Sequence, residues 1–154
     1  MKHILIVLVS ILFISCSNDN TSSQAIIDYT EQNEKEIVAY LTKNNLTAQK
    51  STSGLHYIIN ELGTGEQPTI SSNVTVAYKG YFTDRNVFDQ SDSKGISFGL
   101  QQVIKGWTEG ITYFKEGGSG ILLIPSHLGY GSNGTNGIPG GSVLVFDVHL
   151  ISVN

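Results

Sequence analysis

The sequence predicts an α+β fold, a sheet with a single short helix packed against it. Three observations carry this. Val74, Val76, Tyr78 and Phe82 alternate with Thr75, Ala77 and Lys79, and Leu144, Phe146, Val148 and Leu150 alternate in the last segment, the period of strands with one buried face. Gly120 to Ile124 is a continuous apolar run stopped by Pro125, which suits a buried strand. Between the strands, Ile104, Trp107, Ile111 and Phe114 fall at i, i+3, i+7 and i+10, a single helical stripe.

Composition sets the outer limits. The 154 residues are 40% hydrophobic and only 14% charged, enough for one core and too little charge for a disordered chain. Of 17 glycines, 13 lie between Gly95 and Gly141, so that half is expected to be rich in turns and close backbone contacts. The net charge is −4 and Lys and Arg form no basic cluster, which leaves nucleic-acid binding without electrostatic support. The single cysteine, Cys16, excludes an internal disulfide, and no Cys/His spacing suggests a metal. No cofactor is expected.

From the N-terminus, Met1-Lys2-His3 is a short basic start, and Ile4 to Ile14 is apolar apart from Ser10. A run of that length crosses about half of a bilayer core of roughly 30 Å, so it fits a secretory signal and not a transmembrane anchor. It ends in Phe13-Ile14-Ser15-Cys16, which resembles the bacterial lipoprotein box, although Phe13 stands where leucine is usual. The resemblance implies a signal peptide over residues 1–15, cleavage before Cys16, and acyl chains on Cys16 that hold the chain to a membrane of the bacterial cell envelope, on its periplasmic face or in the outer membrane. The alternative is an ordinary signal peptide with an incidental cysteine. Residues 16–29 follow as a flexible tether, small and polar from Ser17 to Gln24.

A leading helix is expected over residues 30–45. Ile37, Tyr40 and Leu41 recur at helical spacing, with Glu31, Glu34 and Glu36 early and Lys43 late, the charge order a helix dipole favours. Asp28-x-x-Glu31 and Asn33-x-x-Glu36 both resemble capping boxes, and Asn44-Asn45 is a stop. Its narrow apolar face predicts a surface spacer without chemistry, and the lack of a heptad pattern predicts a monomer.

The body occupies residues 54–154. Leu55 to Leu62 reads as a strand, with Gly63-Thr64-Gly65 turning out of it. Tyr78 shares a face with two valines and so points inward. Lys115 sits in the last turn of the central helix, which Gly117-Gly118 ends. Val143 to Ile151 is the last strand, with Asp147 and His149 on its other face. His56, His127 and His149 have no catalytic spacing. Taken singly, Tyr78, Phe88, Phe146 and the sole tryptophan read as core residues, and Asp89 as a turn residue.

Their order changes that. Val76-Ala77-Tyr78-Lys79-Gly80, Val87-Phe88-Asp89, Phe98 through Gly110 with Val103-Ile104-Lys105-Gly106-Trp107 inside it, Leu128-Gly129-Tyr130-Gly131, Gly137-Ile138-Pro139 and Leu144-Val145-Phe146-Asp147-Val148 follow one another in order between Val76 and Val148. This resembles the FKBP family of peptidyl-prolyl cis/trans isomerases, from about Gly54 to Val153. The resemblance implies an antiparallel half-barrel of five or six strands wrapped around one short helix, with a pocket between them. It implies Trp107 as the pocket floor and Tyr78, Phe88 and Phe146 as aromatic walls, with Phe98 a further wall. Val103 and Ile104 would form the rim, the Ile104 N–H being offered to substrate. Tyr130 would donate a hydrogen bond to the peptide, Ile138 would face the pocket from its loop, and Asp89 would be the lone carboxylate inside. Tyr78, Asp89, Trp107 and Tyr130 are thus the candidate catalytic residues. Asp89 either orients tyrosine hydroxyls or meets the rotating carbonyl.

That chemistry breaks no bond and so needs no nucleophile. Turning an X–Pro bond means losing amide resonance, against a barrier of roughly 18–20 kcal/mol. A dry aromatic site favours the less polar twisted amide. The partners implied are proline-containing polypeptides, and the function is assisted folding of envelope or secreted proteins. The alternative is a membrane-anchored binding or assembly module, for example of a motility or secretion machine, using the same fold with little turnover. Two positions depart from the family. Pro139 is followed by Gly140-Gly141 where a second proline is common, which predicts a more mobile loop around Ile138. Arg85 stands where glycine is common, which predicts a different turn.

Overall fold

The computed structural model describes residues 27–154. The expected signal peptide, Cys16 and all but the last residues of the tether lie outside the described residues. The chain runs α1 (Thr30–Lys43), β1 (Gln49–Lys50), β2 (His56–Glu61), β3 (Asn73–Tyr81), β4 (Val87–Gln90), β5 (Ile96–Gly99), α2 (Lys105–Gly110), β6 (Ser119–Ile124) and β7 (Leu144–Val153).

All strands pair antiparallel in one sheet, in the order β1-β2-β6-β7-β3-β4, with β5 also on β3. β4 faces Lys79 to Tyr81 and β5 faces Asn73 to Val76, so the two share one edge of β3. Seven strands therefore fill six places across the sheet, which is the antiparallel half-barrel around a short helix that the sequence led us to expect. The pairing of β3 with β7 runs from Val74↔Val153 to Tyr81↔Val145 and forms the spine.

The apolar run in β6 has a specific cause. β6 and β7 pair Leu122 with Phe146 and Leu123 with Val145. Leu122 and Phe146 face inward onto α2, in the cluster with Val74, Val76, Trp107, Ile111 and Phe114. Leu123 and Val145 face outward and are also fully buried. What covers them is α1, whose Ile37 and Tyr40 form a second cluster with Tyr81, Leu123, Val143 and Val145. Alternation gives way to continuity because this part of the sheet is covered on both faces. α1 is therefore packed, where a spacer was expected. The expected capping boxes do not form: Asp28 Oδ1 accepts the Thr30 N–H at 2.9 Å, and Asn33 turns away from the helix terminus.

α2 is shorter than its stripe suggests. It covers six residues, then tightens into a 3₁₀ turn over Ile111–Tyr113, and Phe114 lies beyond it. Ile111 and Phe114 are nonetheless fully buried. Two glycines bring α2 close to β6. A Cβ on Gly106 would lie 2.5 Å from Ile124 Cγ2, and one on Gly110 would lie 2.7 Å from Leu122 Cδ2. Those glycines permit the close approach and also make a poor helix former of the segment, which accounts for its length. In the turn before β4, Arg85 adopts φ 75°, the left-handed backbone that glycine would favour. Its guanidinium is held by Asn44 Oδ1 at 2.6 Å and lies over the rings of Tyr40 and Tyr81, 5.2 and 5.3 Å from their centroids.

Candidate active site

A pocket of about 590 Å³ opens between α2 and the inner face of the sheet. At its base lies Trp107, only 5% exposed. The chain enters α2 through Ile104, whose extended backbone (φ −60°, ψ 148°) breaks into the helix there. Ile104 O accepts the Trp107 N–H at 2.9 Å, and Thr108 Oγ1 donates to Leu100 O at 2.6 Å, fixing the entry segment to the helix. Val103 and Ile104 are thereby held at the rim. The Ile104 N–H has no acceptor among the described residues.

The sheet supplies aromatic rings around the indole. Tyr78 from β3 meets Trp107 edge to face at 5.1 Å, and Phe146 from β7 does so at 5.2 Å. Phe98 from β5 lies 5.4 Å away at 57°. Phe88 from β4 packs at a right angle on Phe146, 5.5 Å off. These are the mutual orientations that ring quadrupoles favour. Gly80 makes room for them, since a Cβ there would come within 2.7 Å of both Phe88 and Phe146.

The polar groups are few. Tyr78 donates its hydroxyl to Asp89 Oδ2 at 2.6 Å, a short charge-assisted bond. Burial pushes the Tyr78 hydroxyl well above the usual tyrosine range, and the adjacent Asp89 carboxylate adds to it. Tyr130 is 40% exposed at the mouth, and its hydroxyl has no partner among the described residues. Ile138 closes the opposite side and is buried. All ten residues singled out as catalytic or substrate-binding in the sequence thus line one pocket. Ile96, Gln102, Thr135, Asn136 and Gly137 line it as well. Gln102 and Gly137 lie within the ordered blocks, whereas Thr135 and Asn136 had only their nearness to Ile138, and Ile96 its nearness to Phe98, as a signal. Among the described residues no histidine lines the pocket: His56 is buried in β2 against Glu34, and His127 bonds Ser53 O. Among the described residues no three His, Cys, Asp or Glu side chains gather as for a metal, and no helix is long and apolar enough to cross a membrane.

The glycine-rich loop is more ordered in its bonding than its composition suggested. Thr135 and Ile138 exchange backbone hydrogen bonds at 2.9 and 3.0 Å, and Gly141 N–H donates to Gly131 O at 2.9 Å. Gly134 and Gly141 have φ of 70° and 76°, and a Cβ on either would strike neighbouring atoms, Ile138 O and the Tyr29 ring. Glycine there meets a backbone requirement.

Comparison with known proteins agrees with this fold. The model of the FKBP-type peptidyl-prolyl cis-trans isomerase family matches residues 64–151. The FKBP-type peptidyl-prolyl cis-trans isomerase FkpA of Aeromonas hydrophila is 41% identical over 140 residues, covering 88% of this chain and 52% of that protein. The chain spans about half the length of that curated relative. The crystal structure of FkpA from Escherichia coli superposes with a TM-score of 0.73 at 42% identity, over 81% of this chain and 61% of that one. A peptidyl-prolyl cis-trans isomerase from Pseudomonas syringae pv. tomato gives 0.70 at 30% identity, over 81% of this chain and 96% of that one. With a matching family model and fold, the chain belongs to the FKBP-type peptidyl-prolyl cis-trans isomerase family.

Proposed function

We propose that this protein is a peptidyl-prolyl cis-trans isomerase that turns X–Pro bonds in the pocket over Trp107. The observation that carries the reading is the convergence of Tyr78, Phe98 and Phe146 on the nearly buried Trp107, with Phe88 packed on Phe146 behind them and a single carboxylate in the pocket. A proline ring seated on the indole leaves the preceding carbonyl in a site with little water. The planar amide has the larger dipole and loses more solvation there than the twisted one, so the barrier of roughly 18–20 kcal/mol falls. The Ile104 N–H and the Tyr130 hydroxyl, both without partners among the described residues, hold the peptide backbone while the bond turns. Asp89 fixes the Tyr78 hydroxyl through their 2.6 Å bond and so keeps that ring edge-on to Trp107. Val103, Ile104 and Ile138 take the apolar side chains that flank the proline.

The physiological setting in this reading is the bacterial envelope, with Cys16 acylated, the chain acting as a monomer, and folding envelope or secreted proteins as substrates. Support comes from the apolar run ending at Cys16. Cys16→Ser is expected to move the protein from the membrane fraction to the soluble fraction; retention in the membrane fraction would remove the anchor from the proposal.

The direct test follows cis–trans relaxation of a short X–Pro peptide with the purified chain lacking residues 1–16. The expected result is a rate above the uncatalysed one and a kcat/KM at least about tenfold lower in Trp107→Ala, roughly 1.4 kcal/mol of transition-state stabilisation. No acceleration by the unmutated chain would end the isomerase reading. Binding of the peptide without turnover would favour an assembly module.

A further inference from the structure

We propose that Asn33, on α1, is a positioning residue that sets the loop side of the pocket. Asn33 is fully buried, although its helix lies on the outer face of the sheet. Its side-chain amide spans two distant parts of the chain. Asn33 Oδ1 accepts the Ser126 N–H at 2.8 Å, and Asn33 Nδ2 donates to Gly141 O at 2.8 Å. Ser126 and Gly141 are the two ends of the segment that carries Tyr130 and Ile138. Within that segment Gly131 N–H donates to Ser126 O at 2.7 Å and Gly141 N–H to Gly131 O at 2.9 Å. The amide therefore closes the base of the loop.

The chemistry of the residue suits nothing else at this place. Asparagine is a poor residue for a helix interior, because its side chain competes for backbone groups. Here it uses that capacity on backbone outside the helix. One donor and one acceptor are needed together at fixed separation, which an amide supplies and a carboxylate or hydroxyl does not. Tyr29 adds a second contact, its ring lying where a Cβ on Gly141 would be. α1 lies outside residues 64–151, the part that the family model matches. The placement of Tyr130 and Ile138 across from Trp107 thus depends on a helix outside the part that the family model matches. Substrate groups that contact the loop feel this clamp, whereas the ring cluster on Trp107 does not.

This role presupposes that the pocket is the isomerase site, and the test separates the two. Asn33→Ala, Ile37→Ala and the unmutated chain are compared at a temperature where each is folded. Ile37→Ala loosens α1 by a cavity and leaves both amide bonds in place. Segment-resolved hydrogen exchange and the kcat and KM for an X–Pro peptide are measured. Asn33→Ala is expected to speed exchange in residues 128–141 by about tenfold or more, with β3 and β7 unchanged. It is expected to raise KM about three- to tenfold with kcat within about twofold. Ile37→Ala is expected to lower Tm and leave loop exchange and KM near those of the unmutated chain. Unchanged loop exchange in Asn33→Ala, or equal effects from Ile37→Ala, would overturn the proposal. If the unmutated chain does not catalyse, the isomerase reading falls alone, and loop exchange with the peptide Kd from Trp107 fluorescence still decides the clamp. Should Asn33→Ala fail to fold, Asn33→Asp keeps the acceptor for Ser126 and removes the donor to Gly141, and it is expected to free the Gly141 end only.

Discussion

At the scale of single residues, Tyr78 and Asp89 form a hydrogen-bonded ionisable pair beside the aromatic rings of the pocket. Because burial and Asp89 raise the Tyr78 pKa, its hydroxyl stays protonated, and able to donate, beyond the ordinary tyrosine value of about 10. With no histidine among the described residues lining the pocket, kcat/KM is expected to be flat from about pH 6 to about pH 9. A limb near neutral pH would mean that an ionising group takes part in the chemistry. Tyr78→Phe keeps the ring and removes the bond to Asp89, and is expected to lower kcat/KM by about tenfold, the worth of one charge-assisted bond at the low end. An unchanged kcat/KM would show that the hydroxyl is dispensable. Arg85 illustrates a different residue-scale balance. Its left-handed backbone is unfavourable for a side chain, and the bond to Asn44 with the Tyr40 and Tyr81 ring faces offsets it.

At the scale of elements, α2 is held on two sides. Gly106 and Gly110 bring it against β6, and Glu109 ties its outer side to the segment before β2. Glu109 Oε2 accepts from Ser53 Oγ at 2.6 Å and Oε1 from Tyr113 Oη at 2.7 Å, while the Tyr113 ring stacks on Tyr57 at 4.2 Å. Burial pushes the Glu109 carboxyl up, but hydrogen bonds from Ser53, Tyr113 and Ser51 more than reverse this and leave it below the usual value of 4.5. The Tyr113 hydroxyl is correspondingly pushed up to about 12, by burial first and by Glu109 second. A carboxylate whose pKa falls on folding stabilises the fold above its unfolded pKa, and that stability is lost as pH falls through the folded value. Glu109→Gln is thus expected to lower stability by about 1–2 kcal/mol at neutral pH, and the Tm difference should close as pH drops below about 4. A difference independent of pH would mean that the charge contributes nothing.

At the scale of the whole molecule, the sheet carries two cores. The inner one holds the pocket and the outer one holds α1, and the same strands, β6 and β7, serve both. The helix and the half-barrel are therefore expected to unfold together. Ile37→Ala removes a fully buried side chain from the outer core and is expected to cost about 2–5 kcal/mol, seen as one transition by both helical circular dichroism and Trp107 fluorescence. Separate transitions for the two signals would show that α1 is an independent unit.

The sequence by itself determined β2, β3, β6 and β7, because alternation in β3 and β7 and the apolar run in β6 are local patterns, whereas β1, β4 and β5 are too short to leave one. It also determined which side chains meet in the pocket, once their order was compared with a family. It did not determine the end of α2, where two glycines permit close packing on β6 and weaken the helix in the same stroke. Nor did it determine the fate of α1. Ile37 and Tyr40 make too narrow a stripe to announce a partner, and the partner, Leu123 with Val145, was hidden in runs that look like ordinary core. Asn33 read as a cap because a cap is the local use of asparagine. Only the tertiary structure places Ser126 and Gly141 beside it, since contacts across 93 and 108 residues leave no periodic trace in the chain.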